Sequence, residues 1–198
     1  MLTAYDDNMN EIGTYARSVV HYNGMWHRVV QCWVVGASPT GPRVYLQRRS
    51  FEKKSHPGRY DITAGGHVSA GETPRAAMIR EIWEETGLEL EEDQLIEVAE
   101  FREISGNDHE LATIFVRRDD EPQFSPGPEV IYMVSADLED FKSLSEGSTD
   151  EITVIPAIRT GPMIDEAFKV GPQNFTNHKS FLKIVYPYVR QHEKELFS

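Results

Sequence analysis

Three carboxylates, Glu81, Glu84 and Glu85, stand at i, i+3 and i+4 within the run Gly66 to Leu88, GHVSAGETPRAAMIREIWEETGL. On a helix that turns about 100° per residue, this spacing sets their side chains along one stripe. Acids so placed repel one another by roughly a few tenths of a kcal/mol per pair, and a bound cation reverses that sign. An all-oxygen set favours a hard ion, Mg2+ or Mn2+, over zinc. Such an ion behind a glycine loop is suited to cleaving a diphosphate, because it neutralises phosphate oxygens and acidifies an attacking water.

The element that must position these acids is one helix. Thr73 has the form of an N-cap, Pro74 of a first helical residue and Gly87 of a C-terminal stop. Ala76, Ile79, Ile82 and Trp83 then form the core-facing stripe and leave the acids to a cleft or to solvent. A solvated acidic face is the ordinary reading of such a run. It would not require the glycine and arginine at fixed spacing as well.

Those fixed positions carry a resemblance. Gly66, Glu72, Arg80, Glu81, Ile82, Glu84, Glu85, Gly87 and Leu88 match every fixed position of the Nudix hydrolase signature. The resemblance implies a loop-helix-loop in which the Gly66 carbonyl and Glu81, Glu84 and Glu85 hold divalent metal on a substrate diphosphate. It also implies that Arg80 orients a carboxylate through an ion pair, and that Glu72 braces the loop against the helix. The fold implied is an α/β/α sandwich around a mixed β-sheet.

The wider chain sets bounds. With 198 residues and 39% hydrophobic content it fits one domain spanning 1–198 with a substantial core, about 1–25 forming an N-terminal extension or hairpin and about 147–198 a C-terminal extension. A net charge of -12 argues against nucleic-acid polymers and acidic membranes as partners. The one cysteine, Cys32, lies in the apolar run VVQCWVV and is expected to pack as a small buried hydrophobe. Neither a signal peptide nor a long apolar span is legible, so the expected location is cytoplasmic.

Strands are expected at Ala16 to His21 and Trp26 to Gly36, as a hairpin across Tyr22-Asn23-Gly24, then at Val44 to Arg49 and Tyr60 to Thr63. Further strands are expected at Leu95 to Ile104, Glu110 to Arg117, Glu129 to Ser135 and Ile152 to Ile155, with a helix over Ala136 to Leu144. Thr160 to Gln173 holds several breakers. Thr176 to about Leu196 reads as a closing amphipathic helix interrupted near Pro187. The tail is expected to cover a pocket or to support a homodimer.

Upstream, WHRVVQCWVV and LQRRSFEKKSHPGRYDITAGGH resemble the Nudix branch that contains isopentenyl-diphosphate isomerase and hydrolases similar to it. Isomerases of that branch use a cysteine just before the histidine of this loop. Here the loop is Thr63-Ala64-Gly65-Gly66-His67, with alanine or glycine in that place, and the box is complete where the isomerases' is degenerate. Both departures point to hydrolysis. The resemblance further implies that His27 and His67, with His21 near the place of another ligand, join Glu110 in holding a second kind of metal; hydrogen-bonded or substrate-contacting histidines are the alternative.

Glu84 and Glu110 are both candidates for the general base. Arg48, Arg49, Lys54 and Arg59, in a basic run from Arg43 to Arg59, are candidates for binding an anionic small-molecule diphosphate, together with His67. A lysine-studded hairpin edge is the competing reading of that run. Phe51, Tyr60, Phe101 and Phe124 are candidates for stacking on a base. The resulting expectation is an Mg2+- or Mn2+-dependent hydrolase of nucleoside-diphosphate-linked or related organic diphosphates. An isomerase and a non-catalytic diphosphate-binding module are the rivals.

Overall fold

The chain opens on a hairpin of β1 (Leu2–Tyr5) and β2 (Glu11–Tyr15). Asp6 closes its turn, accepting from the backbone N–H groups of Asn8 and Asn10. A computed structural model describes residues 1–157, 166–176 and 179–197. Arg17–Tyr22, expected as a strand, is instead a short helix, α1. The Val19 and Val20 N–H groups both reach the Ala16 carbonyl, and Val20 is buried with Leu2 and Ala4. That burial outweighs the strand preference of the Val19-Val20 pair, so the expected hairpin with the next strand does not form.

The central strand is β3 (Trp26–Gly36), followed by β4 (Arg43–Arg49), β5 (Tyr60–Asp61) and β6 (Ala64–His67). After α2 (Pro74–Thr86) come β7 (Ile96–Ser105), β8 (Asp108–Arg118) and β9 (Val130–Asp137). Then follow α3 (Leu138–Ser145), β10 (Ile152–Pro156) and β11 (Phe168–Val170). Among the described residues one sheet runs β11-β10-β9-β4-β3-β1-β2, with β6 and β8 also paired to β3 and β7 to β8. The β3–β8 pair is parallel and the other pairs are antiparallel, so the sheet is mixed.

The mostly apolar run of β3, broken at Gln31, is explained by burial on both faces. Val29, Trp33 and Val35 enter one core cluster with α3 and the C-terminal helices, whereas Val30, Cys32 and Val34 enter a second with α2. Helices therefore cover both sides of the sheet, the α/β/α sandwich. Cys32 is fully buried, as its setting in the sequence requires.

The ends of α2 follow the sequence closely. Thr73 Oγ1 accepts from the Ala76 N–H, Pro74 begins the helix, and Gly87 ends it in the left-handed region at φ 73°. Its inner face differs from the expected stripe. Ala77, Met78 and Ile82 are buried, while Ala76 is exposed, Ile79 only half-buried and Trp83 56% exposed. The helix is turned so that Glu85 and Thr86 enter the protein, because β6 and β4 offer hydrogen-bond donors to Glu85.

At the C-terminal end a π-helical turn, Phe181–Val185, runs into α4 (Tyr186–Gln191), and α5 (Glu193–Leu196) follows. The interruption expected near Pro187 takes the form of this change from π to α geometry. Pro187 falls in the first turn of α4, just after the widened turn in which the Tyr186 N–H reaches back to the Phe181 carbonyl. A second break falls at His192. The expected run of breakers at Thr160 to Gln173 lies outside the described residues as far as position 165. Among the described residues no helix is long and apolar enough to cross a membrane.

Candidate active site

The loop between β6 and α2 is held by Arg80. Its guanidinium grips Glu72 with two bonds of 3.0 Å, donates to Glu81 Oε1 at 2.6 Å and to the His67 carbonyl at 3.1 Å, and lies 3.5 Å from Glu84. Glu72 also accepts from the Ser69 N–H. Gly66 lies against the Glu81 carboxyl so closely that a β-carbon there would collide with it, which accounts for the glycine.

The three acids differ in environment. Glu85 is 2% exposed. Its Oε2 accepts from the Gly65 N–H at 2.9 Å and from Gln47 at 2.8 Å, leaving Oε1 facing Lys53 at 3.7 Å. Burial pushes its pKa up to about 7 against the pull of those donors. Glu81 is likewise raised by burial, with Arg80 opposing. Glu84 is about half exposed. They share a rim, as their spacing requires, yet their ligand atoms do not close into one tight group. Glu85 is drawn toward the sheet while Glu84 points to solvent.

The group that does close is imidazole. Among the described residues, His21, His27 and His67 place one ligand nitrogen each within 4.8 Å of one another. His27 Nδ1 meets the Met25 carbonyl at 3.0 Å, and His21 Nδ1 meets Asp108 at 2.5 Å. A carbonyl or carboxylate can only accept, so Nδ1 carries a proton in both rings. His27 Nε2 is buried without a hydrogen-bond partner, 3.9 Å from Glu110 Oε1, and His67 Nε2 is 2.9 Å from His21 Nε2. Burial lowers the pKa of His27, and burial followed by Arg17 lowers that of His67 to about 3, so both stay neutral. His27, neutral and with Nδ1 tied to a backbone oxygen, presents an unpartnered Nε2 suited to a cation. Glu110, beside them, is raised to about 7, first by burial and then by Asp108 and Glu103.

The carboxylates, His21 and His67 open into one cavity of about 560 Å3, and His27 lies buried behind them. Arg49, His67, Gly66, Arg80, Glu81, Glu84, Glu85 and Glu110 line it, whereas Arg48, Lys54 and Arg59 do not. Arg48 is turned inward to the Tyr132 hydroxyl and the Gly58 carbonyl, with three aromatic rings around it. Arg59 donates to the Phe175 carbonyl, and Lys54 is exposed. The expected basic patch thus divides, and Arg49 at its rim is paired with Asp61 at 2.8 Å.

Arg17, Lys53 and Gln31 line the cavity without having been singled out from the sequence. Lys53 lay in the basic run; Arg17 could have been found four residues before His21 had α1 been read as a helix. Gln47, which fixes Glu85, carries no signal in the sequence. None of the four aromatic candidates lines the cavity. Tyr60 and Phe124 are in the two cores, Phe101 packs against the first, and Phe51 is exposed beside Gly58.

A NUDIX-domain model matches residues 25–156, and the chain belongs to the Nudix family, whose hydrolases are its relatives. It is 38% identical over 105 residues to an uncharacterized Nudix hydrolase of Rhodococcus erythropolis, a match covering 53% of this chain and 56% of that protein. It is also 30% identical over 129 residues to an isopentenyl-diphosphate Delta-isomerase of Serratia proteamaculans, covering 64% of this chain and 70% of that one. A Deinococcus radiodurans crystal structure shares the fold, with a TM-score of 0.60 at 23% identity over 72% of this chain and 86% of that one.

Proposed function

We propose that this chain is a divalent-cation-dependent hydrolase of organic diphosphates. The observation that carries the reading is the intact acid set on one cavity: Glu85 buried and oriented by the Gly65 N–H and Gln47, Glu81 held by Arg80, and Glu84 beside them. These three acids and the Gly66 carbonyl would hold Mg2+ or Mn2+, and the cradle that Gly66 leaves open for Glu81 fits that use. His21, His27 and His67 would hold a second, nitrogen-preferring ion such as Zn2+, for which the unpartnered His27 Nε2 is the support. Bound ions would screen phosphate oxygens and acidify water.

The chain's own groups supply the rest. Arg80 fixes the carboxylate geometry, while Lys53, Arg49 and Arg17 bring positive charge to a cavity otherwise rich in acids. Glu110 is the favoured general base over Glu84, since a carboxylate titrating at about 7 accepts a proton from water near neutral pH and returns it readily. Buried Ala64 and the glycines before His67 offer no acid for protonating a carbon skeleton, which argues against the isomerase. The retained acids argue against a silent binding module. The cytoplasm remains the proposed location and a homodimer the proposed assembly.

A panel of nucleoside di- and triphosphates, dinucleotides and isoprenoid diphosphates, assayed for phosphate release with Mg2+ or Mn2+, tests this reading. Cleavage abolished by chelator is expected. Proton exchange into isopentenyl diphosphate without phosphate release would move the chain to the isomerases.

A further inference from the structure

The part of the chain beyond residue 156, where the family match ends, returns to the cavity at three places. Thr176 Oγ1 donates to Asp61 at 2.7 Å, Lys179 pairs with Glu103 at 3.5 Å, and Ser180 Oγ donates to Gln31 Oε1 at 2.7 Å. The segment is thereby tied to β5, β7 and β3. Ser180 is 3% exposed, so its bond to Gln31 is shielded from water. With its oxygen held, the Gln31 amide presents Nε2 as a donor, and Gln31 lines the cavity.

The placement of Gln31 gives that donor a role. Along β3, His27, Val29 and Gln31 share a face, and the register sets Gln31 beside Gly65, whose N–H holds Glu85. Gln31 lies on the face of β3 away from α2 and meets the box acids through the cavity that both line. A group attached to a diphosphate bound at the box would share the cavity with Gln31, Asp61, Thr176, Glu103 and Ser105. These are hydrogen-bonding groups, and the described residues of the lining include no Phe, Tyr or Trp, their only rings being the imidazoles of His21, His56 and His67. A prenyl chain would strip water from them without replacing its hydrogen bonds, and a nucleobase would find no Phe, Tyr or Trp ring to stack on, the His21 and His67 imidazoles being turned to one another.

We infer that Gln31, positioned by Ser180, is a specificity-determining residue, and that the diphosphate carries a hydroxylated, non-aromatic group such as a sugar or polyol. This rests on the proposed diphosphate reading. Gln31 Nε2 donates to an oxygen of that group, while the tethered segment fixes how far the group extends.

The test compares glucose 1-diphosphate, isopentenyl diphosphate, cytidine diphosphate and inorganic pyrophosphate as substrates and, by calorimetry with Mg2+, as ligands. The full chain is compared with Gln31→Leu/Ser180→Ala, which removes both partners together and leaves no orphaned buried hydroxyl. The expected result is that glucose 1-diphosphate has the highest kcat/KM of the three organic diphosphates. In the double variant its kcat/KM relative to pyrophosphate falls about tenfold, the loss of one neutral hydrogen bond. Preference for the prenyl or cytidine compound, or an unchanged ratio, overturns the inference while leaving hydrolysis standing. If nothing is cleaved the hydrolase reading fails, and calorimetry still decides this one: glucose 1-diphosphate binding no tighter than pyrophosphate, or equally well to the variant, refutes it.

Discussion

Replacing Glu85 by glutamine should make the metal-free protein more stable while removing its activity. The Glu85 carboxyl titrates at about 7 in the fold against an ordinary 4.5. A raised acid is favoured protonated, so its contribution to stability is full below pH 4.5 and is lost as pH rises through 7. That difference corresponds to about 3 kcal/mol at pH 8, at roughly 1.4 kcal/mol per pH unit. The amide keeps one oxygen for the Gly65 N–H and Gln47 but forfeits the attraction to Lys53 at 3.7 Å. The net gain expected is about 2 kcal/mol, a rise in Tm of about 4–8 °C for a chain of this size. Thermal melts of both proteins in EDTA should show this gap at pH 8 and almost none at pH 4.5. Saturating Mg2+ should shift the wild type upward by more than the variant, because only the wild type retains the full acid set. A variant that melts at or below the wild type in EDTA at pH 8 would refute the reasoning.

Gly66→Ala should force the Glu81 carboxyl from its place, lowering turnover by about 100-fold with a small loss of Tm, since loss of positioning weighs on chemistry more than on folding. Steady-state rates and melts on one preparation check it, and undiminished turnover would contradict it. Arg80→Lys should cost about 1–3 kcal/mol and most of the activity, because one ammonium cannot replace the two-pronged grip on Glu72 together with the bonds to Glu81 and the His67 carbonyl. His67 titrates at about 3 instead of 6.5, so its contribution to metal-free stability is full above pH 6.5 and is lost as pH falls toward 3. His67→Asn should flatten the decline of Tm between pH 6.5 and 4, and an identical slope would show that His67 does not cause it.

What could be read from the sequence was what local chemistry enforces. Thr73, Pro74 and Gly87 bound α2 because capping and the left-handed turn are local properties, and β3, β4 and β7 through β10 follow runs whose apolar pattern survives in the fold, whereas Ala64–His67, read as loop, is drawn into β6 by pairing with β3. What failed depended on distant partners. Val19 and Val20 argue for a strand until Leu2 and Ala4 are known to bury Val20. Trp83 argues for the core until Gln47 and the Gly65 N–H are seen to draw Glu85 inward and rotate the helix. Arg48 and Arg59 read as substrate-facing charge, yet one satisfies the Tyr132 hydroxyl and the other a backbone carbonyl from the C-terminal segment. The acids, Arg80 and His67 were legible because one loop and helix carry them all. The joining of His21, His27 and Glu110 required three separate elements to meet.

The central claim is that the acids of this helix support cleavage of a diphosphate through a bound divalent ion. Phosphate release measured against Mg2+ and Mn2+ concentration, for the wild type and Glu85→Gln, tests it most directly, with circular dichroism confirming that both are folded. The account predicts saturable metal dependence, complete loss with EDTA, recovery on re-addition of metal, and no turnover by the variant. Turnover that survives EDTA, or a variant that retains wild-type rates, would contradict it.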